Sequence, residues 1–179
     1  MSSIKQNLNK IRQFLTDNNL VFYIIPHDDE YLSEYIPPEN ERLAWATGFT
    51  GSAGMAIISQ DSAAIFVDGR YTVQVKEQVD SSLYTILHIS KDPWMKWLKA
   101  NHKSRGKIGY DPRMHRASWE KTTEKKLNGN FKLEAVTGNP VDIYWEDRPK
   151  SVEDTAILLY EEYTGKSSLD KRLNLGNII

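Results

Sequence analysis

No cysteine occurs among the 179 residues, which removes disulfide frameworks, thiolate nucleophiles and cysteine-based zinc or iron–sulfur sites together. A reducing, cytoplasmic setting is compatible with that absence and is the expectation. Long hydrophobic runs are missing too: the longest strongly apolar stretch, residues 20–25, has six residues, against roughly 20 for a membrane span. The opening MSSIKQNLNK lacks the apolar core of a secretion signal. A soluble, untargeted chain is expected, with no membrane partner. Charge of one sign is also absent, since 23 Lys+Arg face 24 Asp+Glu for a formal charge of −1. The overall field therefore recruits neither nucleic acid nor an anionic bilayer. Ten Gly and seven Pro are too few for collagenous or low-complexity classes, and 40% hydrophobic with 11% aromatic residues is a composition that folds around a core.

What is present alternates between helical and extended patterns. Ile4, Leu8, Ile11 and Leu15 share one helical face, with Ser3 and Gln6 at capping-box spacing and Asp17-Asn18-Asn19 as a stop, so a helix is predicted over 3–17. Residues 20–25 are continuously apolar and closed by Pro26, the pattern of a strand buried on both faces. Residues 55–59 and 63–67 flank Gln60-Asp61-Ser62 and read as an antiparallel hairpin. Tyr71, Val75 and Val79 predict a helix, 82–89 a strand, 93–101 a helix, 107–110 a strand, 115–127 a helix and 131–136 a strand. This order defines an α/β fold, a mixed sheet covered by helices. After Gly138-Asn139-Pro140, residues 141–145 read as a short apolar turn and 148–151 as a linker. The boundary is placed near Asp147, giving a domain over 1–147 and the beginning of a truncated second domain over 148–179. Ser167 to Asp170 opens a further helix, but the nine residues after Asp170 are too few for it to find a core of its own.

The chemical motifs are weak singly. Gly165-Lys166-Ser167 lacks the glycine a phosphate loop needs at position 160, which is Tyr. Gly48-Phe-Thr-Gly51-Ser-Ala-Gly54 spaces its glycines for either a positive-φ turn or a loop that admits something closely, and spacing alone leaves both open. Asp28, Asp29, Glu30, Glu34, Glu39 and Glu41 follow the first strand; with Asp68 they read as a solvated acidic surface more readily than as a metal site. Residues 91–126 carry eleven Lys/Arg against four Asp/Glu among Trp94, Trp97, Tyr110 and Trp119, yet the i, i+3 tryptophans suit a buried helix face better than a nucleic-acid surface. His27, His88, His102 and His115 have no metal-ligand spacing; His27, after a strand and inside the acidic loop, is the one with a plausible functional placement. No catalytic apparatus is specified by these residues alone.

In order along the chain, Tyr23-Ile-Ile-Pro26, Asp29, Ser33-Glu-Tyr-Ile36, Arg42, Gly48 to Gly54 and Asp68-Gly-Arg-Tyr71 resemble the N-terminal domain of Xaa-Pro aminopeptidase (aminopeptidase P), a creatinase-type domain with a ribonuclease H-like motif. Trp145-Glu-Asp-Arg-Pro149 and Tyr163-Thr-Gly165 look like that family's passage into a second domain. The resemblance implies a non-catalytic first domain whose catalytic residues lie elsewhere. A separate C-terminal domain of the parent would carry two divalent metals, commonly manganese, held by two Asp, one His and two Glu, none of which this chain supplies. It also implies proline-containing peptides as substrate, the protein's own C-terminal catalytic domain as partner, and a homodimer. In the related creatine amidinohydrolase, side chains of the loop matching 48–54 reach the neighbouring subunit's active site. By that likeness Phe49, Thr50 and Ser52 are candidates for an active-site mouth, with Asp29, Glu34, Tyr35 and Arg70 as supports. Many family members carry His where this chain has Tyr31. Arg70 has a second reading, because Asp68 at a strand end can simply cap the following turn. A stand-alone peptide- or partner-binding scaffold is the alternative function, and a nuclease-like metal site a third reading.

Overall fold

The computed structural model describes residues 3–152 and 154–178; Met1, Ser2, Glu153 and Ile179, the ends of the expected 1–147 and 148–179 ranges among them, lie outside the described residues. Its elements run α1 (Ile4–Asp17), β1 (Phe22–Pro26), α2 (Arg42–Thr47), β2 (Gly54–Ile58), β3 (Ala63–Val67), α3 (Gln74–Gln78), β4 (Thr85–His88), α4 (Trp94–Asn101), β5 (Gly106–Tyr110), α5 (Ala117–Leu127), β6 (Phe131–Ala135), α6 (Pro140–Tyr144), α7 (Glu161–Thr164) and α8 (Ser168–Gly176). The six strands form one sheet in the order β4-β3-β2-β1-β5-β6. β2 pairs antiparallel with β1 and β3, and the β3–β4, β1–β5 and β5–β6 pairs are parallel. Five strands therefore point the same way, and their carboxyl ends share one edge with the start of β2.

Local chemistry explains where the elements begin. Ser3 and Gln6 close the expected capping box, each side chain taking the other residue's backbone N–H. α1 ends at Asn18, and Asn19 takes φ +52°, a left-handed position that Asn tolerates. β1 is buried on both faces as its apolar run requires. Tyr23 and Ile25 join a core with α1, α2 and Val141 of α6, while Phe22 and Ile24 join a second core with Leu98 of α4 and Leu127 of α5. The tryptophans of the basic segment serve that second core: Trp97 packs 5.9 Å from Phe22 and 6.3 Å from Phe66, ring centre to ring centre. The hairpin reading is correct, with Ile58 opposite Ala63.

Three readings need correction. Residues 141–145, expected as an apolar turn, lie largely in α6, whose first N–H is capped by Asn139 and whose Pro140 sits where a missing N–H costs nothing. Tyr71 stands outside α3, in a 3-10 turn (Gly69–Tyr71) capped by Asp68, so the helical spacing holds only for Val75 and Val79. The strand expected from residue 82 starts at Thr85, because Asp80 folds the chain back, its carboxylate accepting from the Ser82 amide at 2.8 Å and its carbonyl from the Tyr84 amide at 3.1 Å. Arg148, placed in the linker, is anchored to the domain: Nε donates to the Glu39 carbonyl at 2.6 Å, and the guanidinium also meets Asn40 at 3.1 Å and Asp142 at 3.0 Å. Beyond Pro149 the described residues are exposed, Ser167 excepted, and α7 and α8 do not pack on the sheet.

Candidate functional site

The functional candidates gather at the shared edge of the sheet. α2 stops at Gly48, whose φ of +83° is a conformation that side chains resist. Thr47 then fixes the exit, its hydroxyl donating to the Leu43 carbonyl at 2.7 Å and accepting from the Phe49 amide at 3.1 Å. Phe49 turns inward and is fully buried, edge-on to Tyr71 at 5.6 Å. It is the floor of the loop and presents no surface to a mouth, which corrects its expected exposure. Gly51 lies against both rings; a Cβ there would collide with the Phe49 ring tip and stand 2.6 Å from Tyr71 Cδ1. Gly48 thus serves the positive-φ turn, and Gly51 makes room for the protein's own Phe49 and Tyr71 rings.

Thr50 and Ser52 are left exposed above that floor. The Thr50 amide donates to Gln78 Oε1 at 3.0 Å, and its hydroxyl accepts from Gln78 Nε2 at 2.9 Å and Gln74 Nε2 at 3.2 Å, tying the loop to α3. Ser52 Oγ and Tyr71 Oη lie 2.6 Å apart, and this hydrogen bond draws the Tyr71 phenol below its usual range. Arg70 lays its guanidinium 5.3 Å from the Tyr71 ring centre and forks onto Asp68 at 2.7 and 3.0 Å, which holds that carboxyl below its usual range. Asp68 also caps the Arg70 amide at 2.9 Å, which is the capping reading of this pair. Thr50, Ser52, Arg70 and Tyr71 form one polar ridge.

The loop between β1 and α2 contributes differently. Asp29 is fully buried and internal: its carboxylate accepts from the Tyr31 and Ser33 amides at 3.0 and 2.9 Å and from Asn40 at 3.4 Å. Burial pushes that carboxyl up, but these hydrogen bonds outweigh it and the net shift is downward. Its surroundings make it the staple of the loop, not a surface support. Glu34 and Tyr35 are exposed and make no side-chain hydrogen bond to the ridge. Tyr31 is 80% exposed, and the His27 amide donates to the Gly54 carbonyl at 3.0 Å. A hollow of about 340 Å³ lies between Ile36, Glu41, Trp45, Thr50 and Trp145, bringing the two loops to one depression. Burial pushes the Glu41 carboxyl there upward, with His27 pulling the other way.

Sequence reasoning missed the ion cluster beneath. Arg42, with a side chain 3% exposed, donates to both Asp142 oxygens at 2.7 and 3.1 Å and to Glu30 at 3.2 Å. Arg113 bridges Asp111 at 2.7 Å and Asp142 at 3.4 Å. Charges so buried need such pairing, and the cluster locks α6 to the edge that bears the ridge. Among the described residues no group of three or more His, Asp or Glu is placed to hold a metal ion. No helix among the described residues is long and apolar enough to cross a membrane. What the edge offers is hydrogen-bonding and aromatic surface.

A layered α/β domain with an inward-turned aromatic below a glycine loop matches a known class: the chain belongs to the Creatinase/Prolidase N-terminal domain family, which matches residues 7–142. More particularly, it is an N-terminal domain of the kind carried by Xaa-Pro aminopeptidase-like proteins. It is 34% identical over 167 residues to Xaa-Pro aminopeptidase 2 of Homo sapiens, covering 92% of this chain and 25% of that protein. It is likewise 34% identical over 170 residues to a probable Xaa-Pro aminopeptidase P of Laccaria bicolor, covering 93% and 26%. The crystal structure of the X-prolyl aminopeptidase of Caenorhabditis elegans, described as a cytosolic enzyme with a di-nuclear active site, superposes with a TM-score of 0.85 at 26% identity, over 98% of this chain and 31% of that one. The Streptococcus thermophilus aminopeptidase P structure, at 19% identity and a TM-score of 0.61, shares the fold. The chain thus spans about a quarter of the length of the curated relatives it matches.

Proposed function

We propose that this chain is the non-catalytic first domain of a larger, cytoplasmic, metal-dependent Xaa-Pro aminopeptidase, where its polar ridge shapes peptide access and subunit contact. The observation that carries the reading is the match of nearly the whole chain to less than a third of a dinuclear enzyme. Two divalent metals, manganese by family likeness, would supply the hydrolytic chemistry from a catalytic domain, and a peptide's N-terminal residue preceding proline is what would be released. The domain's own contribution is geometric. A tertiary X-Pro amide has no N–H and a fixed φ, so selecting it depends on walls and hydrogen-bond donors placed around the chain. Thr50 and Ser52, held by α3 and Tyr71 above a rigid floor, are such donors. The exposed apolar residues Ile157, Leu158, Tyr160, Leu169 and Leu173 support packing against further domains of the same protein.

The test is the pair of substitutions Thr50→Ala and Ser52→Ala in the full-length enzyme. Both positions are exposed, so the unfolding temperature should hold, while kcat/KM for X-Pro peptides should fall by roughly 5- to 30-fold, or about 1–2 kcal/mol. Unchanged kcat/KM across X-Pro peptides of several lengths would remove the ridge from the mouth.

A further inference from the structure

The connections leaving β1 and β5 part in opposite directions, one toward β2 and the other toward β6. The carboxyl ends of this parallel pair therefore frame a crevice, the place where open α/β sheets receive ligands. A cavity of about 430 Å³ fills it, bordered by Asp28 after β1, Trp94 of α4, His115 after β5 and one face of α5. That volume is within the roughly 300–1,000 Å³ of small-ligand sites. Ser118, Trp119, Thr122, Thr123 and Lys126 recur along α5 at helical spacing, so the cavity is a groove about 12 Å long at 1.5 Å per residue.

Its wall is built for a ligand with acceptors and flat rings. Trp119 is stacked on His115 at 3.7 Å and 17°, which holds the indole as a fixed platform, and Trp94 adds a second indole from another helix. His115 Nε2 belongs to the groove's lining, is buried and has no hydrogen-bond partner among the described residues. A buried polar group left unpaired in this way is costly, so a hydrogen-bonding occupant stabilises it. Arg116 and Lys126 stand toward the two ends of α5 with no ion-pair partner among the described residues. Hydroxyls and cations are donors; acceptors are scarce, Asp28 being the carboxylate at the rim.

We propose that this groove is a docking site for proline-containing peptides, separate from the ridge at Thr50 and Ser52. The proposal rests on the aminopeptidase reading for the identity of its ligand. Proline rings stack on indole faces, and extended polyproline segments lack the N–H groups that would need acceptors while presenting carbonyls to donors. About four residues of such a segment, at roughly 3.1 Å each, match the groove's length. Arg116 and Lys126 receive the carbonyls or the terminal carboxylate.

The experiment titrates the 179-residue chain with Ala-Pro-Pro-Ala and with tetra-alanine, following the indole N–H resonances by NMR. Expected are saturable shifts at Trp94 and Trp119, affinity for the proline peptide about tenfold or more above that for tetra-alanine, and a similar loss in the exposed double variant Arg116→Glu, Lys126→Glu. Absence of saturation, equal affinity for tetra-alanine, or shifts confined to Trp45 and Trp145 beside Thr50 would overturn the proposal. The two readings fail separately: a groove that binds nothing leaves the effects of the Thr50 and Ser52 variants on kcat/KM standing. A full-length protein without X-Pro hydrolysis ends the enzyme reading whatever the groove binds.

Discussion

A methyl group at position 51 would have to displace either the Phe49 ring, fully buried, or the Tyr71 ring that hydrogen-bonds Ser52. Gly51→Ala should therefore lower stability by about 1–3 kcal/mol, the usual range for overpacking, and release the Tyr71 phenol toward its ordinary pKa. Urea unfolding with an unchanged m-value and a tyrosinate titration check the two effects; a wild-type midpoint and phenol would contradict the close approach. His115 offers a pH test. Burial depresses its pKa to about 4, with Asp111 opposing, whereas an unfolded imidazole titrates near 6.5. Between those values the unfolded chain binds more protons, so stability is full above about pH 6.5 and declines as pH falls toward 4, by on the order of 3 kcal/mol. His115→Phe keeps an aromatic ring beside Trp119 and should flatten this stretch of the stability–pH curve. The same slope in the variant would assign it elsewhere. At this scale the sequence was least informative. That Asp29 and Phe49 point inward follows from amides and rings brought to them by folding, and Arg42 finds Asp142 a hundred positions away, where no local pattern marks the pair.

Elements were legible where their signals are local. The capping box of α1, the continuous apolar run of β1 and the short polar turn between β2 and β3 each lie within a few consecutive residues, and each element is present as read. α6 escaped because five residues are too short to show a helical period, although Asn139-Pro140 is a start signal. β4 was read too long because apolar Leu83 and Tyr84 face the core from a turn as well as a strand would. α8 is capped by Ser167, but neither α7 nor α8 has a buried residue, and contacts beyond Pro149 do not hold the domain together. A chain ending at Pro149 should accordingly retain the sheet and unfold within about 2 °C of the longer one, since surface changes seldom exceed about 0.5 kcal/mol. It should also be less prone to self-association, having shed Ile157, Leu158 and Tyr160. Calorimetry and light scattering measure both, and a drop of ten degrees would show that the segment belongs to the domain.

On the scale of the whole molecule, one edge of the sheet carries both the polar ridge and the β1–β5 crevice. The ridge stands above one core and the β1–β5 crevice above the other, with the Arg42–Asp142 cluster fixing the loops of that edge. Fold class followed from the alternation of patterns. The division of that edge into an inward floor and an outward ridge did not, because it depends on which residues the two cores claim. The most direct measurement is X-Pro peptide hydrolysis, with added Mn²⁺, by the 179-residue chain and by the polypeptide obtained when its reading frame is followed past Ile179. An accessory first domain predicts no turnover by the former and release of the residue preceding proline by the latter. Turnover by the 179-residue chain itself, or a stop codon directly after Ile179, would contradict it.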